Sequence, residues 1–184
     1  NILKKLHSDS LVIIDNFKTI GHAEINFLEH GLQALRGQNG QGKTTCFEAI
    51  AFAVTGQHNR TFKKNAKNKQ FLRLFNDKQI NKDVVLVEIL AEINGKAYSI
   101  KVMLKKFMNE GWIAKNWRKF VTRVTKKLEI TSIDDDAELL VDDAAEAWLA
   151  QYFGTYEEFA ILHLINQETL ESLKYMSPEE LTNF

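Results

Sequence analysis

Short apolar runs separated by polar turns set out the first third of the chain as strands followed by a helix. Leu11-Val12-Ile13-Ile14 is a continuous apolar run of buried-strand length that ends at Asp15-Asn16. From His22 to Leu28 the pattern alternates, with Ala23, Ile25 and Phe27 on one face, and predicts a second strand that Gly31 breaks. Leu32 to Arg36 is a third short apolar run, leading straight into a glycine-rich stretch. Beyond it, Phe47, Ile50, Ala51 and Val54 fall at helical spacing, and Gly56 is a natural helix stop.

The middle of the chain is different. Gln57 to Lys82 is polar, basic and rich in Asn and Lys, and reads as a long, partly mobile excursion with a short helix around Phe71 to Phe75. Val84 to Leu90 and Tyr98 to Val102 are strand-like runs flanking Asn94-Gly95, the strongest short hairpin signal. Another basic strand pair is expected through Trp112 to Thr125. Asp142 to Phe153 carries Ala145, Trp148, Leu149 and Tyr152 at helical spacing and stops at Gly154. Thr155 and Glu158 are spaced as a capping box for a further helix to about Leu162. Ser177-Pro178-Glu179-Glu180 combines an N-cap, a first-turn proline and first-turn acids, so a helix is expected to begin there.

Composition narrows the class. The chain has 184 residues, 45% hydrophobic and 26% charged, enough for one domain with a sizeable core. No apolar run approaches the ~20 residues that span a bilayer, and Asn1-Ile2-Leu3-Lys4-Lys5 is too short a start for a secretion signal. The single cysteine, Cys46, allows no internal disulfide, fits a reducing cytosol, and reads as a small buried hydrophobe. Net charge is zero but segregated. Asn59 to Lys82 holds eight basic residues and one acid, Lys96 to Lys127 ten and one, and Leu128 to Glu146 eight acids with no Lys or Arg. Basic segments attract phosphate backbones; solvated faces that neutralise each other account for the same pattern equally well.

The candidate chemistry lies in Gly37-Gln38-Asn39-Gly40-Gln41-Gly42-Lys43-Thr44, a G-x-x-x-x-G-K-T loop with a strand expected before it and a helix after. Glycines let the backbone wrap tightly so that amide N–H groups point inward at phosphate. The helix offers its N-terminus and positive dipole end to the anion. Lys43 is placed for the β- and γ-phosphates and Thr44 for Mg²⁺, with Thr45 beside them. Far downstream, the apolar run Phe159 to Ile165 ends in Asn166-Gln167. On its own Gln167 reads as a surface glutamine after a strand.

Asn39-Gly40 inside the loop resembles the G-x-N-G-x-G-K-[ST] form of ABC-type ATPases, with Gln41 where serine is common. Asn16-Phe17-Lys18-Thr19-Ile20-Gly21-His22 is similar to the N-F-[RK]-S segment of the Rad50/SbcC-type branch, and Phe159 to Gln167 looks like its Q-loop. Met176-Ser177-Pro178-Glu179-Glu180-Leu181, with Leu173 before it, resembles the stretch that opens that family's coiled-coil arm, although Leu181 replaces the usual arginine. The chain therefore resembles the N-terminal half of a Rad50/SbcC-type ATPase head.

The resemblance implies an α/β fold: a P-loop NTPase of ABC/SMC head type, its N-terminal lobe having a mixed sheet, β-hairpins and the loop helix. Residues 1–176 would form the lobe, with a basic excursion at 57–82 and a basic β region at 96–127, and 177–184 the start of the arm. It implies that ATP and Mg²⁺ bind through Lys18, Thr19, Gly37, Gln38, Asn39, Gly40, Gln41, Gly42, Lys43, Thr44 and Thr45, that Thr44 and Gln167 hold the metal, and that Gln167 and Lys43 serve hydrolysis. It also implies a composite site. No L-S-G-G and no apolar run ending in Asp-Glu occurs here. Asp134-Asp135-Asp136 is expected to be a loop with no apolar strand before it. A C-terminal lobe, a second head, a Mre11/SbcD-like nuclease and double-stranded DNA are the implied partners, with no membrane, in cytoplasm (at the nucleoid) or nucleus. An SMC-, RecF- or RecN-like DNA-tethering ATPase without a nuclease is the alternative. A stand-alone P-loop kinase is disfavoured by the wide spacing from the loop to Gln167 and by the helix start at Ser177.

Overall fold

The computed structural model describes residues 11–26, 38, 42–59, 61–62, 68–111, 114–134 and 139–163. Six strands form one sheet in the order β2-β1-β3-β4-β5-β6. They are β1 Leu11–Phe17, β2 Ile20–Asn26, β3 Val84–Ile93, β4 Lys96–Met108, β5 Val121–Ser132 and β6 Leu139–Val141. Every pairing among these strands is antiparallel, so the described sheet is not mixed. The helices are α1 Lys43–Thr55, α2 Asn68–Phe71, α3 Asp142–Phe153 and α4 Tyr156–His163.

Alternation makes the sheet two-faced. The register carries a continuous row, Ile14 opposite Val87, Val87 opposite Val102 and Val102 opposite Leu128, and all four side chains are buried. α1 packs on this face against β1, β3 and β4, and on its other sides against α3 and α4. That sandwich explains a departure from the expected helix stripe. Thr45, Cys46, Ala49, Ala51, Phe52, Ala53 and Val54 are buried, while Phe47 is 45% exposed. A helix covered on several sides has no single apolar stripe for spacing to reveal. Its small residues, Cys46 among them, allow the close approach.

The hairpin forms as expected. Asn94 and Gly95 both have positive φ, 53° and 80°, as a type I′ turn requires, and Ile93 pairs with Lys96. Gly56 and Gly154 end α1 and α3. The capping box also forms: the Thr155 N–H donates to Glu158 Oε2 at 2.7 Å, and the Glu158 N–H to Thr155 Oγ1 at 3.3 Å.

Three expectations need correction. The 57–82 excursion, read from its polar composition, carries apolar anchors in its described parts, residues 60 and 63–67 lying outside them. Phe62, Phe71, Leu72, Leu74 and Phe75 are buried, and edge and tilted ring contacts link Phe17, Phe52, Phe62 and Phe71. Its short helix falls slightly early, as α2 followed by a 3-10 turn at Leu72–Leu74, while Phe75 bridges Phe17 in extended form. Second, a 3-10 stretch, Ala114–Phe120, kinked at Asn116, precedes β5 where a strand pair was expected. It turns one side chain, Trp117, inward over Lys106, whose Nζ lies 4.4 Å from the ring centroid. Third, a strand does precede Asp134. β5 runs to Ser132 with Leu128 and Ile130 buried, and the Asp134 carboxylate accepts the Ala97 N–H at 2.9 Å, capping the hairpin end.

Candidate functional site

The site is assembled where the β1–β2 turn meets the N-terminus of α1. Asn16 and Lys18 in that turn have φ of 58° and 49°. This left-handed backbone is held on both sides. The Lys18 N–H donates to the Leu74 carbonyl at 2.7 Å, and the Asn76 N–H to the Asn16 carbonyl at 3.1 Å. Buried Asn16 donates Nδ2 to the Val84 and Lys82 carbonyls. The excursion therefore clamps the turn from behind.

In front of the turn stands Gly42, the N-cap of α1, with φ 87° and ψ 13°. A Cβ there would lie 3.1 Å from Ile20 Cγ1 and 3.2 Å from Thr19 Oγ1, so a side chain would be strained at this φ and would push one of them aside. Thr19 Oγ1 lies 3.1 Å from the buried Thr45 Oγ1. No side chain caps α1 and no acid lies in its first turn. Its first amides and the positive end of its dipole are therefore presented to an anion. Lys43 Nζ donates to the Gln38 carbonyl at 2.8 Å, so the lysine lies back along the loop. Thr44 is exposed on the first turn.

Lys18 reaches the side of α1. Its Nζ lies 2.6 Å from Glu48 Oε2. The sequence reading missed this acid, although Glu48 is the one acidic residue of α1 and is flanked by the apolar residues Cys46, Phe47, Ala49 and Ile50. Burial pushes its carboxyl up, but the pull of His58 and Lys18 outweighs burial and holds it below the usual carboxylate range. Expected site residues Lys18, Thr19, Gly42, Lys43, Thr44 and Thr45 are thus gathered at one end of α1, with Gln38 in contact with Lys43. Gly37, Asn39, Gly40, Gln41 and Gln167 lie outside the described residues, as do Leu32 to Arg36 and the helix start at Ser177. The part of the Q-loop run that is described, Phe159 to His163, belongs to α4.

These groups fit a nucleotide phosphate: a glycine cradle that a Cβ would fill, an uncapped helix N-terminus, and a lysine beside it. Among the described residues no group of three or more His, Cys, Asp or Glu could hold a metal ion. Among the described residues, Thr44 would hold a divalent cation here, together with phosphate oxygens. No helix among them is long and apolar enough to cross a membrane.

Much of the segregated charge is absorbed locally. Lys101 pairs with Glu88 at 3.4 Å, Lys127 with Glu129, Lys126 with Glu146, and Arg118 with Asp77. Asp142 accepts the Leu128 N–H. On the sheet face away from α1, Lys105 and Arg123 instead flank Phe107, at 5.3 and 4.2 Å from its ring centroid.

No curated protein matches the chain. A family model described as an AAA domain matches residues 12–180, a span that includes the loop, the clamped turn and Gln167. The chain belongs to this AAA domain family, an SMC/Rad50-like group of P-loop ATPases, for which nucleotide binding and typically Mg²⁺ are implied.

Proposed function

We propose that the protein is the ATP-binding and hydrolysing subunit of a Rad50/SbcC-like complex for DNA double-strand-break repair or recombination. The observation that carries this reading is the Asn16-Phe17-Lys18-Thr19 turn, which brings Thr19 against Gly42 and Thr45 at the start of α1 and Lys18 onto Glu48 on its side. In this reading the amides at the α1 N-terminus and Lys43 bind the triphosphate. Thr44 and Gln167 would hold Mg²⁺, and Gln167 would orient the attacking water. ATP, when bound, supplies the phosphoanhydride bond whose hydrolysis separates the engaged heads. A second head and a C-terminal lobe complete the site, because neither L-S-G-G nor a Walker B pair occurs in these residues. Duplex DNA lies across the engaged heads, with Lys105 and Arg123 as its phosphate contacts, and a Mre11/SbcD-like nuclease is the partner.

The test is ATP-dependent association of the full-length protein, followed by DNA binding against salt. Lys43→Ala removes a charge-assisted contact and should weaken ATP binding about 10- to 100-fold, abolishing association. Neutralising Lys105 and Arg123 together should lower the slope of log affinity against log salt by about 2. Association by Lys43→Ala equal to wild type sinks the ATP reading, and an unchanged slope sinks the DNA contact. ATP-dependent DNA binding with no metallophosphoesterase co-purifying would move the protein to the SMC/RecF/RecN-like tethering branch.

A further inference from the structure

The sheet face turned away from α1 changes character along β4 and β5. On β4 the even-numbered Ile100, Val102, Leu104 and Lys106 are buried, so Lys101, Lys105 and Phe107 belong to the other face. On β5 Val124, Leu128 and Ile130 are buried, which places Arg123, Lys127 and Glu129 on that same outer face. Toward the Ser132 end the charges cancel, Lys101 lying 3.4 Å from Glu88 and Lys127 pairing with Glu129. Toward the Met108 end they do not. Arg123 stands directly opposite Phe107, and Lys105 is two residues back along β4. Both cations are exposed, and among the described residues neither pairs with an acid. Both instead lie over the half-buried Phe107 ring. The ladder is broken at the same place: Phe107 pairs with Arg123 but Met108 with Val121, skipping Thr122, whose hydroxyl donates to the Phe107 carbonyl at 3.1 Å. A bulge of this kind raises the local twist and re-aims side chains. Exposed Lys115 and Lys119 lie on the 3-10 stretch that leads into β5 here.

We infer that Phe107, layered with Arg123 and flanked by Lys105, is a stacking platform for an unpaired base, and that this face takes DNA carrying a single-stranded end. Two cations without an acid call for an anion, and the flat ring between them calls for a flat aromatic group. A nucleotide supplies both. Arg123 Cζ lies 4.2 Å from the ring centroid, so guanidinium and ring form one layered surface on which a base can stack. Lys105 Nζ is looser, at 5.3 Å, and its long stem lets the ammonium swing to a phosphate while a base covers the ring. Every base has a π-face, so the platform is sequence-tolerant. Inside a duplex the bases are already stacked and paired, and the protein meets phosphates first. The cations therefore serve paired and unpaired strands alike, and the ring serves only the unpaired one. The inference rests on the reading of Lys105 and Arg123 as DNA contacts and adds the ring, which that reading leaves unused.

The experiment measures binding of the full-length protein, with ATP, to a blunt duplex and to the same duplex with a short thymidine tail or an abasic tail of equal length. The two tails carry the same phosphates, so the ratio of their affinities reads base contacts alone. Wild type should prefer the thymidine tail about fivefold, the low end of what one stacked base contributes. Phe107→Leu should bring that ratio close to one, and Phe107→Trp should keep it. A tail carrying 5-iodouracil, photo-crosslinked to wild type and mapped by mass spectrometry, should join at Phe107, and it carries the test if Phe107→Leu does not fold. Equal affinity of wild type for the two tails, a preference that Phe107→Leu retains, or a crosslink elsewhere would overturn the inference. The duplex contact is judged separately, by the salt slope of the blunt duplex when Lys105 and Arg123 are neutralised. A lowered slope without any tail preference would overturn the platform and leave the duplex contact. An unchanged slope with a tail preference lost in Phe107→Leu would do the reverse.

Discussion

Replacing Gly42 with alanine tests the cradle through two separable contributions. The first is backbone strain. Gly42 sits at φ 87°, where an L side chain costs about 1–2 kcal/mol. The second is crowding. The new Cβ would lie 3.1 Å from Ile20 Cγ1 and 3.2 Å from Thr19 Oγ1, so one of them must move. Displacing Thr19 breaks its hydroxyl contact with Thr45 at 3.1 Å, worth about 0.5–1.5 kcal/mol. The expected loss is about 2–3 kcal/mol, a large share of the roughly 5–15 kcal/mol of a typical domain. Gly95→Ala is the matched control. Its φ is 80°, and nothing lies within 4 Å of its added Cβ. It should cost only the strain, about 1–2 kcal/mol. Urea unfolding of both variants reads the difference directly. Gly42→Ala should also weaken ATP binding, and Gly95→Ala should not. Equal stability losses in the two variants, with ATP affinity unchanged in both, would refute the cradle geometry.

Two further outcomes follow from other parts of the molecule. Buried Lys106 donates to the Ile80 carbonyl at 2.6 Å beneath Trp117 and Phe75. Burial drives its pKa below the ordinary 10.5, with Asp83 opposing and Arg118 assisting. The unfolded chain then binds more protons than the native one between the two values, so stability relative to Lys106→Met should climb as pH rises toward 10.5, by no more than about 1.4 kcal/mol per pH unit. Parallel stability curves for the two proteins in urea titrations at pH 7.5, 9 and 10 would contradict this. Gln167→Ala in the full-length protein should keep ATP affinity within about twofold and slow hydrolysis by roughly 100-fold; normal turnover would refute the Q-loop assignment.

Local signals were legible where one short segment carries the whole rule. Asn94-Gly95 forms the turn its chemistry demands, Gly56 stops α1, and Thr155 with Glu158 caps α4. Signals failed where tertiary packing decides. Phe47 fits an apolar stripe, yet α1 is covered on several sides and leaves that residue exposed. The polar, lysine-rich composition of the excursion concealed five buried apolar anchors among its described residues, because composition averages over residues that packing treats singly. Lys106 counted as one more charge in a basic segment, although it points into the core. In the site, the position of Gly42 and Lys43 at the start of α1 was readable because the two follow one another in sequence order. Glu48 was not, because its meaning depends on Lys18, which reaches it from another element.

The excursion is the least conspicuous part of the site and the part on which its geometry depends. A residue such as Lys18 at φ 49° holds a backbone conformation that L side chains disfavour, and it persists only where surrounding contacts impose it. Those contacts come from 74–84. Leu74 and Asn76 bond the main chain on either side of Phe17, Lys82 and Val84 take both protons of the Asn16 amide, and Phe75 bridges Phe17. The same stretch is gripped at its far end by Lys106 through Ile80 and by Trp117 through Phe75. A chain of packed groups thus runs from the Trp117 end of the basic strands, through the excursion, to the turn that carries Lys18 and Thr19.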